Sequence, residues 1–423
     1  MDNMAELNFQ AGDYVRLRLA LKEEDGIVIE SPDSSIVLLK LKSGYNIGIP
    51  KENILGSRIL KKFSEETKSY ELKQNKELPA IGLIITGGTI ASKASQATGG
   101  VKPIASAEEF LSFYPDLLET VRIKKLDTPF KVFSENMNSS HWIKMAEAVK
   151  PMLDDPEIKG IVISHGTDTL HYTAAALSFF LRNLNKPVVL TYSQRSIDRA
   201  SSDARLNLQC AVRMAISDCA EVMLVGHAST NDDYCYALRG SKVKKLHSSR
   251  RDAFQSVNCE PIAKITPSKV EFISKYNKSS KAKPELDVQF SDKVALIKYY
   301  PGLDASILDY YALKCKGIVI EGTGLGHIAL EEGSNWLSAL KKHIKSGLVV
   351  CMTTQTVNGR VDPWVYSTGR DLMDAGVIFL EDMLAETAFV KLGFVLGHYG
   401  WKGKVKEKML ENFANEFNER LMN

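Results

Sequence analysis

Two short segments of the chain place a threonine directly after a run of apolar residues. The first segment is LIITGGTIAS at 83–92, in which Thr89 follows two glycines. The second is IVISHGTDTL at 161–170, in which Thr167 is followed by Asp168. Apolar runs of this length are typical of buried strands in a parallel sheet. Because ligands bind beyond the carboxyl ends of such strands, the sequence predicts that both hydroxyls face one crevice.

Hydroxyls in this setting could take part in amide hydrolysis. That chemistry needs a nucleophile, a base that deprotonates it, and donors for the tetrahedral oxyanion. Gly87 and Gly88 let the backbone come close to a ligand and present N–H groups to it. A strand followed by Gly-Gly-Thr is also a common turn, so a purely structural role for each segment stays open on these residues alone.

Composition excludes several classes of protein. The 423 residues carry 54 Lys and Arg against 51 Asp and Glu, a net charge of +3, which leaves no broad electrostatic footprint for nucleic acid. There is no apolar run near the length of a membrane helix, and the N-terminal residues lack the features of a signal peptide, which predicts a cytoplasmic protein without a membrane partner. The six cysteines have no zinc-ligand spacing, so we expect reduced, buried thiols and no metal site.

The elements that position the threonines belong to an α/β chain with an additional N-terminal region. Residues 1–60 contain short alternating strands between turn residues, which is typical of a small β-barrel. The charged stretch 61–79 is predicted to be a linker or a solvated helix. From there, strands alternate with helices, as in a parallel sheet. We place one α/β domain at 80–263, an irregular connection at 264–293 and a second α/β domain at 294–423.

Specific elements follow from the apolar patterns of the two α/β domains. In the first domain, we predict strands at 81–86, 158–163, 187–192 and 221–226 and helices at 141–153, 169–184 and 202–217. In the second domain, we predict strands at 294–299, 317–321 and 347–352 and helices at 304–315, 334–345, 382–396 and 403–421.

The two threonine segments resemble the paired motifs of the L-asparaginase/glutaminase family. The residues that carry the resemblance are TGGTIAS at 86–92 and HGTDTL at 165–170. The nucleophile of that family is a threonine, so the resemblance implies that Thr89 attacks the amide. It also implies that Thr167 and Asp168 belong to the group that activates this nucleophile.

A lysine completes the activating group of that family. The family segment R-G-x-x-x-x-K-x-H matches residues 239–247, which implies that the lysine is Lys245. Its neighbour Lys244 is the alternative assignment. A desolvated lysine that is held neutral can accept a proton, and a carboxylate can orient it. Without the resemblance, Lys245 would be interpreted as a surface lysine in a basic loop.

The resemblance also indicates the residues that hold the substrate. The family's substrate-binding segment, a serine followed by Gln, Asp or Glu, is matched by Ser134 and Glu135. Glu135 would pair with the ammonium group of an amino-acid substrate, and Ser134 would hydrogen-bond to its carboxylate. Gly88 and Gly166, next to the two threonines, are expected to line the same site.

Two positions depart from the family pattern. Family members carry a tyrosine in the loop after the first threonine, where this chain has Gln96. Either another group activates Thr89, the loop becomes ordered only with a partner, or the chain is a weakened enzyme. In addition, Leu325 replaces an asparagine that, in secreted asparaginases, faces the site of a neighbouring subunit.

Four longer segments are similar to one branch of the family, the D subunits of archaeal glutamyl-tRNA(Gln) amidotransferases. They lie at 134–142, 192–208, 355–378 and 381–398. That branch also carries a small β-barrel ahead of its asparaginase-like body, which simple asparaginases lack. The resemblance implies a glutaminase that forms an acyl-threonine and passes ammonia to a partner, the E subunit of the amidotransferase.

The same branch suggests the partners of this chain. The E subunit would use ATP and magnesium to activate glutamate on tRNA(Gln), so that this chain needs no cofactor of its own. Glu-tRNA(Gln) would be held mainly by that partner, and the chain would form a homodimer in a D2E2 assembly. Two other hypotheses stay open, a free-standing cytoplasmic L-asparaginase and a binding protein without catalytic activity.

Overall fold

A computed structural model of the chain describes residues 7–43, 45–63, 74–94, 101–104, 107–199, 201–331 and 333–420. The N-terminal region is an antiparallel sheet of five strands in the order β4-β3-β2-β1-β5. These are β1 (Tyr14–Arg18), β2 (Glu23–Ile29), β3 (Ile36–Leu41), β4 (Asn46–Pro50) and β5 (Gly56–Lys61). Over the same ranges, the structure contains no helix with the length and apolar character needed to cross a membrane.

This sheet forms the predicted small barrel around a single core. Val15 and Leu17 of β1, which alternate with exposed residues, are fully buried in that core. Ile49 of β4 and Ile59 of β5 pack into the same cluster, although their strands lie at opposite ends of the strand order. The sheet therefore curves until its two ends share one core. The following segment, predicted as a linker, lies outside the described residues from 64 to 73.

The first α/β domain alternates strands and helices as predicted. Its elements are β6 (Ala80–Ile85), β7 (Ser92–Ala94), β8 (Val101–Pro103), α1 (Ala107–Ser112), β9 (Arg122–Asp127), α2 (Ser139–Asp154), β10 (Ile158–Ser164), α3 (Leu170–Phe180), β11 (Leu181–Arg182), β12 (Val188–Thr191), α4 (Ala204–Ala215), β13 (Val222–His227), β14 (Cys235–Arg239), β15 (Val243–Lys245), β16 (Phe254–Ser256), β17 (Ala263–Ile265), β18 (Val270–Phe272) and β19 (Glu285–Leu286). The helix predicted at 169–184 ends earlier, because β11 pairs with β19 directly after Phe180.

Eight of these strands form one sheet in the order β18-β17-β14-β13-β12-β10-β6-β9. The five strands from β13 to β9 are parallel, and β14, β17 and β18 extend the sheet with antiparallel ladders. Neighbouring residues on one strand enter different cores, such as Val162 on one face and Ile163 on the other. Both faces are therefore covered, which explains the unbroken apolar runs in the sequence.

One predicted domain boundary is wrong. The boundary between residues 263 and 264 falls inside β17, and the sheet continues through β18 to Phe272. These strands have only three residues each and pair at the antiparallel edge of the sheet. Their alternation is too short to produce a recognisable pattern, so the sequence indicated an irregular connection instead.

The second α/β domain is a four-stranded parallel sheet in the order β20-β21-β22-β23 with helices on both sides. Its elements are β20 (Val294–Lys298), α5 (Ile307–Lys314), β21 (Gly317–Gly322), α6 (Trp336–Lys345), β22 (Val349–Thr354), α7 (Ser367–Asp374), β23 (Ile378–Phe379), α8 (Ala385–Gly397) and α9 (Val405–Leu410). Phe394 of α8 stacks on Phe179 of α3 with ring centroids 5.9 Å apart. The two domains therefore share part of one hydrophobic core.

The helix predicted at 403–421 is wrong beyond its first turns. The chain leaves the helical conformation after Leu410, and Asn415 has a positive φ of 57°. Glu416 explains the irregular path, because its carboxylate accepts the N–H groups of Phe413 and Ala414 and pairs with the ammonium of Lys391. Both charged side chains are fully buried.

Candidate active site

The two threonine turns meet because their strands are neighbours in the sheet. β6 and β10 are parallel, and Ile85 lies opposite Ser164 at their carboxyl ends. The Thr86 hydroxyl then donates a hydrogen bond of 2.7 Å to the Ser164 carbonyl. Gly88 has φ +78°, and a Cβ added to it would lie 2.4 Å from the backbone nitrogen of Gly166. Only glycine at this position lets the two backbones come so close.

Thr89 directly follows this contact and begins a short 3-10 turn, Thr89–Ala91. Its side chain is half-buried. Within the described parts of the chain, the Thr89 hydroxyl has no hydrogen-bond partner, so none of those residues holds the oxygen away from a ligand. Gln96, in the following loop, lies outside the described residues. The three hypotheses about the tyrosine that it replaces therefore stay predictions.

The structure brings Thr167, Asp168 and Lys245 together. The Lys245 ammonium donates to Thr167 Oγ1 at 2.8 Å and to Asp168 Oδ1 at 2.7 Å. The lysine side chain is 11% exposed, whereas that of Asp168 is 61% exposed. A lysine that is nearly buried against one hydroxyl, with a carboxylate at its solvent side, is suited to relay a proton.

Lys244 does not reach this cluster. Adjacent side chains of a strand point to opposite sides, and the Lys244 ammonium pairs with Glu386 at the start of α8. Of the two lysines that the sequence left as alternatives, Lys245 is therefore the one in contact with Thr167.

Ser134 and Glu135 lie beside the second turn. The Ser134 hydroxyl accepts the N–H of Asp168 at 3.1 Å, and the Ser134 carbonyl accepts the Thr169 hydroxyl at 2.7 Å. A Cβ at Gly166 would lie 2.8 Å from Ser134 Oγ, so glycine is also required here. Ser134 is buried, whereas the Glu135 carboxylate is exposed at the rim. The structure thus places the predicted serine against the turn and leaves the acid accessible.

His165 is a residue of the site whose role the sequence did not indicate. It is fully buried, its Nδ1 lies 2.6 Å from the Gly166 carbonyl, and its Nε2 lies 2.9 Å from Thr173 Oγ1. Burial lowers the pKa of His165 to about 4, so the ring is neutral at neutral pH. The imidazole therefore locks the turn that presents Thr167. The signals in the sequence were its position directly after a buried strand and its place at the start of the HGTDTL motif.

All six cysteines of the chain are free thiols. Four are buried, Cys210, Cys219, Cys235 and Cys351, and two are half-buried, Cys259 and Cys315. Over the described ranges, no group of three or more His, Cys, Asp or Glu side chains is arranged to hold a metal ion. Because both ring nitrogens of His165 are already hydrogen-bonded within the protein, neither is free to act as a ligand.

Three family models match consecutive parts of the chain. The GatD N-terminal domain matches residues 9–59, the N-terminal asparaginase domain matches 80–278, and the glutaminase/asparaginase C-terminal domain matches 293–409. The first of these coincides with the five-stranded barrel. The other two cover the two α/β domains.

The chain is similar over nearly its whole length to relatives that are named as the D subunit of glutamyl-tRNA(Gln) amidotransferase. It is 47% identical to the protein of Pyrococcus furiosus over 429 aligned positions, which cover 98% of this chain and 96% of that protein. It is also 47% identical to the protein of Thermococcus kodakarensis, over 96% of this chain and 94% of that protein.

Among solved structures, the α/β body is similar to L-asparaginases. The thermostable L-asparaginase of Thermococcus kodakarensis has a TM-score of 0.74 and 33% identity, covering 81% of this chain and 100% of that one. L-asparaginase I of Vibrio cholerae has a TM-score of 0.69 and 27% identity, covering 81% of this chain and 99% of that one. The predicted two-domain asparaginase-like fold is confirmed.

Proposed function

Since the chain belongs to the family of glutamyl-tRNA(Gln) amidotransferase D subunits, we propose that it is the glutaminase component of such an enzyme. The observation that carries this proposal is the contact of Lys245 with both Thr167 and Asp168, next to the turn that presents Thr89. Nucleophile, proton acceptor and orienting carboxylate are the set that amide hydrolysis requires.

The reaction begins with attack of the Thr89 hydroxyl on the side-chain amide carbon of glutamine. In its neutral amine form, Lys245 accepts the hydroxyl proton by way of Thr167, and the ammonium so formed then gives a proton to the leaving nitrogen. The carbon–nitrogen bond breaks, ammonia leaves, and the acyl group remains as an ester on Thr89. Water then hydrolyses this ester, so that glutamine and water give glutamate and ammonia. Backbone N–H groups of the two glycine turns stabilise the oxyanion.

The substrate is held on the side of Ser134 and Glu135. The exposed Glu135 carboxylate pairs with the α-ammonium group of glutamine, and Ser134 hydrogen-bonds to its α-carboxylate. Gly88 and Gly166 let the two turns and Ser134 approach one another closely, so that the groups proposed to meet the substrate lie side by side. No cofactor takes part in this half of the reaction.

The ammonia is used by a partner, the E subunit, which activates the glutamate on Glu-tRNA(Gln) with ATP and Mg²⁺. The near-neutral charge of this chain supports the assignment of tRNA binding mainly to that partner. The chain is a homodimer in a cytoplasmic D2E2 assembly. Each of these points rests on the family to which the chain belongs.

The test is ammonia release from glutamine and from asparagine by the purified chain, alone and with the E subunit, ATP, Mg²⁺ and Glu-tRNA(Gln). We expect release from glutamine to rise strongly in the full mixture and to disappear in Thr89→Ala. Absence of ammonia release under every condition would contradict the proposal and favour a binding protein.

A second candidate function is a free-standing L-asparaginase, which is favoured by the likeness of the α/β body to two L-asparaginases. The same assay separates the two hypotheses. Fast hydrolysis of asparagine in the absence of any partner, with no increase when the E subunit is added, would support the second function. The match of residues 9–59 to the GatD N-terminal domain favours the first.

A further inference from the structure

Strand β15 contacts a different domain with each of its two faces. Val243 is buried in a core cluster built mainly from residues of the first domain, and Lys245 reaches Thr167. On the opposite face, Lys244 and Lys242, the residue directly before β15, both reach acids of the second domain. This alternation follows from the period of two in a strand. The strand that carries Lys245 therefore lies between the two domains.

The face toward the second domain is held by two ion pairs. Lys242 pairs with Asp382 at 2.7 Å, and both side chains are only 1% exposed. Lys244 pairs with Glu386 in the first turn of α8. Burial alone would raise the pKa of Glu386, but the ammonium of Lys244 outweighs this effect and lowers the pKa. Glu386 is therefore ionised and attracts the lysine.

Ser241, the residue before Lys242, is also hydrogen-bonded to the second domain. The Ser241 hydroxyl donates to the Ala414 carbonyl at 2.7 Å, and the Thr387 hydroxyl donates to the Ser241 carbonyl at 2.9 Å. Asn418 also donates to the Asp382 carboxylate at 2.8 Å, which orients that acid toward the strand. Ser241, Lys242 and Lys244 are thus each bound to residues of the second domain.

The attachment of β15 to the first domain does not run through the eight-stranded sheet. Among the described residues, β15 pairs with β16, and this hairpin is anchored in the first domain by the buried side chains of Val243 and Phe254. A two-stranded hairpin is marginally stable by itself. The buried side chain of Val243 anchors β15 in the core. The strand has no backbone pairing with β6 or β10, the strands that precede the two threonines.

We propose that the second domain positions Lys245 against Thr167 through the ion pairs on the opposite face of β15. Lys244 and Glu386 are then positioning residues for amide hydrolysis, although neither touches the substrate. The inference rests on the proposed glutaminase function, because that function gives Lys245 its role. It assigns the second domain a part in catalysis.

The experiment compares Lys244→Met, Glu386→Gln and the double variant in ammonia release from glutamine. We expect each single variant to lower kcat about tenfold with KM within about twofold, because ground-state binding is retained while proton transfer is misaligned. The double variant should be no slower than the slower single variant, because both changes remove the same contact. A kcat within about twofold of the unmodified chain in both single variants, or effects that multiply, would overturn the inference.

Leu340→Ala is the matched control for loss of stability. Leu340 of α6 is fully buried on the face of the second-domain sheet opposite α8. We expect this variant to lower the melting temperature without a selective loss of kcat in the folded protein. An equal loss of kcat in Leu340→Ala and Glu386→Gln would overturn a positioning role. Glu386→Gln, which conserves size, decides the matter if Lys244→Met does not fold.

A crystal structure of Glu386→Gln tests the geometry without relying on activity. We expect the distance between Lys245 Nζ and Thr167 Oγ1, now 2.8 Å, to exceed hydrogen-bond range. An unchanged distance overturns the inference and leaves the glutaminase function intact. An increased distance in Glu386→Gln, together with no ammonia release by the unmodified chain under any condition, supports the positional coupling and overturns the glutaminase function instead.

Discussion

The Thr89 turn (residues 86–91) and the Thr167 turn (residues 165–169) have the same origin but different surroundings. Both follow neighbouring parallel strands, and their glycines are in direct contact. The hydroxyl of Thr167 accepts a hydrogen bond from Lys245, whereas that of Thr89 has no hydrogen-bond partner within the described ranges. Among the described residues, the hydroxyl of the Thr167 turn (the fixed turn) is therefore held, and that of the Thr89 turn (the open turn) is not.

The difference indicates that the two similar motifs have different roles in the proposed reaction. A nucleophile must approach the substrate carbon, so a hydroxyl held by the protein would first have to be released. The groups that move its proton must instead be kept in place before the substrate arrives. His165 and Ser134 hold the second turn in this way.

The largest effect is expected for Lys245→Met, which removes the proposed proton acceptor that contacts Thr167 of the fixed turn. Loss of a general base lowers kcat by about 10²–10⁴, or ~3–5 kcal/mol of transition-state stabilisation. Steady-state ammonia release from glutamine measures this change. Lys150→Met, which removes a surface ion pair with Asp154 on α2, should leave kcat unchanged. Activity of Lys245→Met within about tenfold of the unmodified chain would mean that Thr89 is activated independently of the fixed turn.

Gly88→Ala tests the contact between the two turns. The added Cβ would lie 2.4 Å from the Gly166 nitrogen, at a φ of +78°. Backbone strain and overpacking together should lower the free energy of unfolding on the order of 3–4 kcal/mol. Urea denaturation measures the loss. Gly302→Ala is the control, because its φ is also positive, at +83°, but no atom lies within 4 Å of the new Cβ. Equal losses in the two variants would show that the turns need no close contact.

The sequence predicted the fold where its patterns were long. The α/β class, the alternation of strands and helices and both threonine turns follow from apolar runs that end in small residues. The errors occur where the pattern is short or where one distant residue decides the path. β17 and β18 have three residues each, and the C-terminal segment is redirected by the buried carboxylate of Glu416.

The site was predicted less completely than the fold, for a physical reason. Lys245 was assigned by resemblance alone, because a lysine in a basic loop gives no sign of the hydroxyl that it will contact. The alternation of Lys242, Val243, Lys244 and Lys245 would have predicted a strand with two different faces. It does not predict the acids that meet the second face, which lie 140 and 142 positions further along the chain. The catalytic roles of the site residues stay predictions.

The pH dependence of stability should report how strongly His165 fixes its turn. Burial lowers the pKa of His165 from its ordinary value of 6.5 to about 4 in the folded chain. Between these pH values the unfolded chain binds the proton and the folded chain does not, so stability falls as the pH decreases. The stabilisation is complete above pH 6.5, and about 3 kcal/mol is lost by pH 4.

Urea denaturation between pH 8 and pH 4 measures this dependence in the unmodified chain and in His165→Gln. The variant should be less stable at pH 8, because it loses the ring's hydrogen bonds, but its stability should fall less steeply on acidification. His171, whose pKa burial also lowers to about 4, has the same sign and accounts for part of the remaining slope. Identical slopes in both proteins would show that His165 is not held neutral in the fixed turn.

The smallest effect is expected for Ser134→Ala, which loosens the fixed turn without removing a charge. The N–H of Asp168 loses its acceptor at 3.1 Å, which should cost about 1 kcal/mol of folding free energy. We expect KM for glutamine to rise several-fold, because the proposed contact to the substrate carboxylate is lost, while kcat changes less. Ser346→Ala, which removes an exposed hydroxyl at the end of α6, is the control and should leave KM unchanged. A fall in kcat larger than the rise in KM would mean that Ser134 acts with Lys245 in proton transfer and not in substrate binding. Ser134 would then belong to the same functional group as the fixed turn that it contacts.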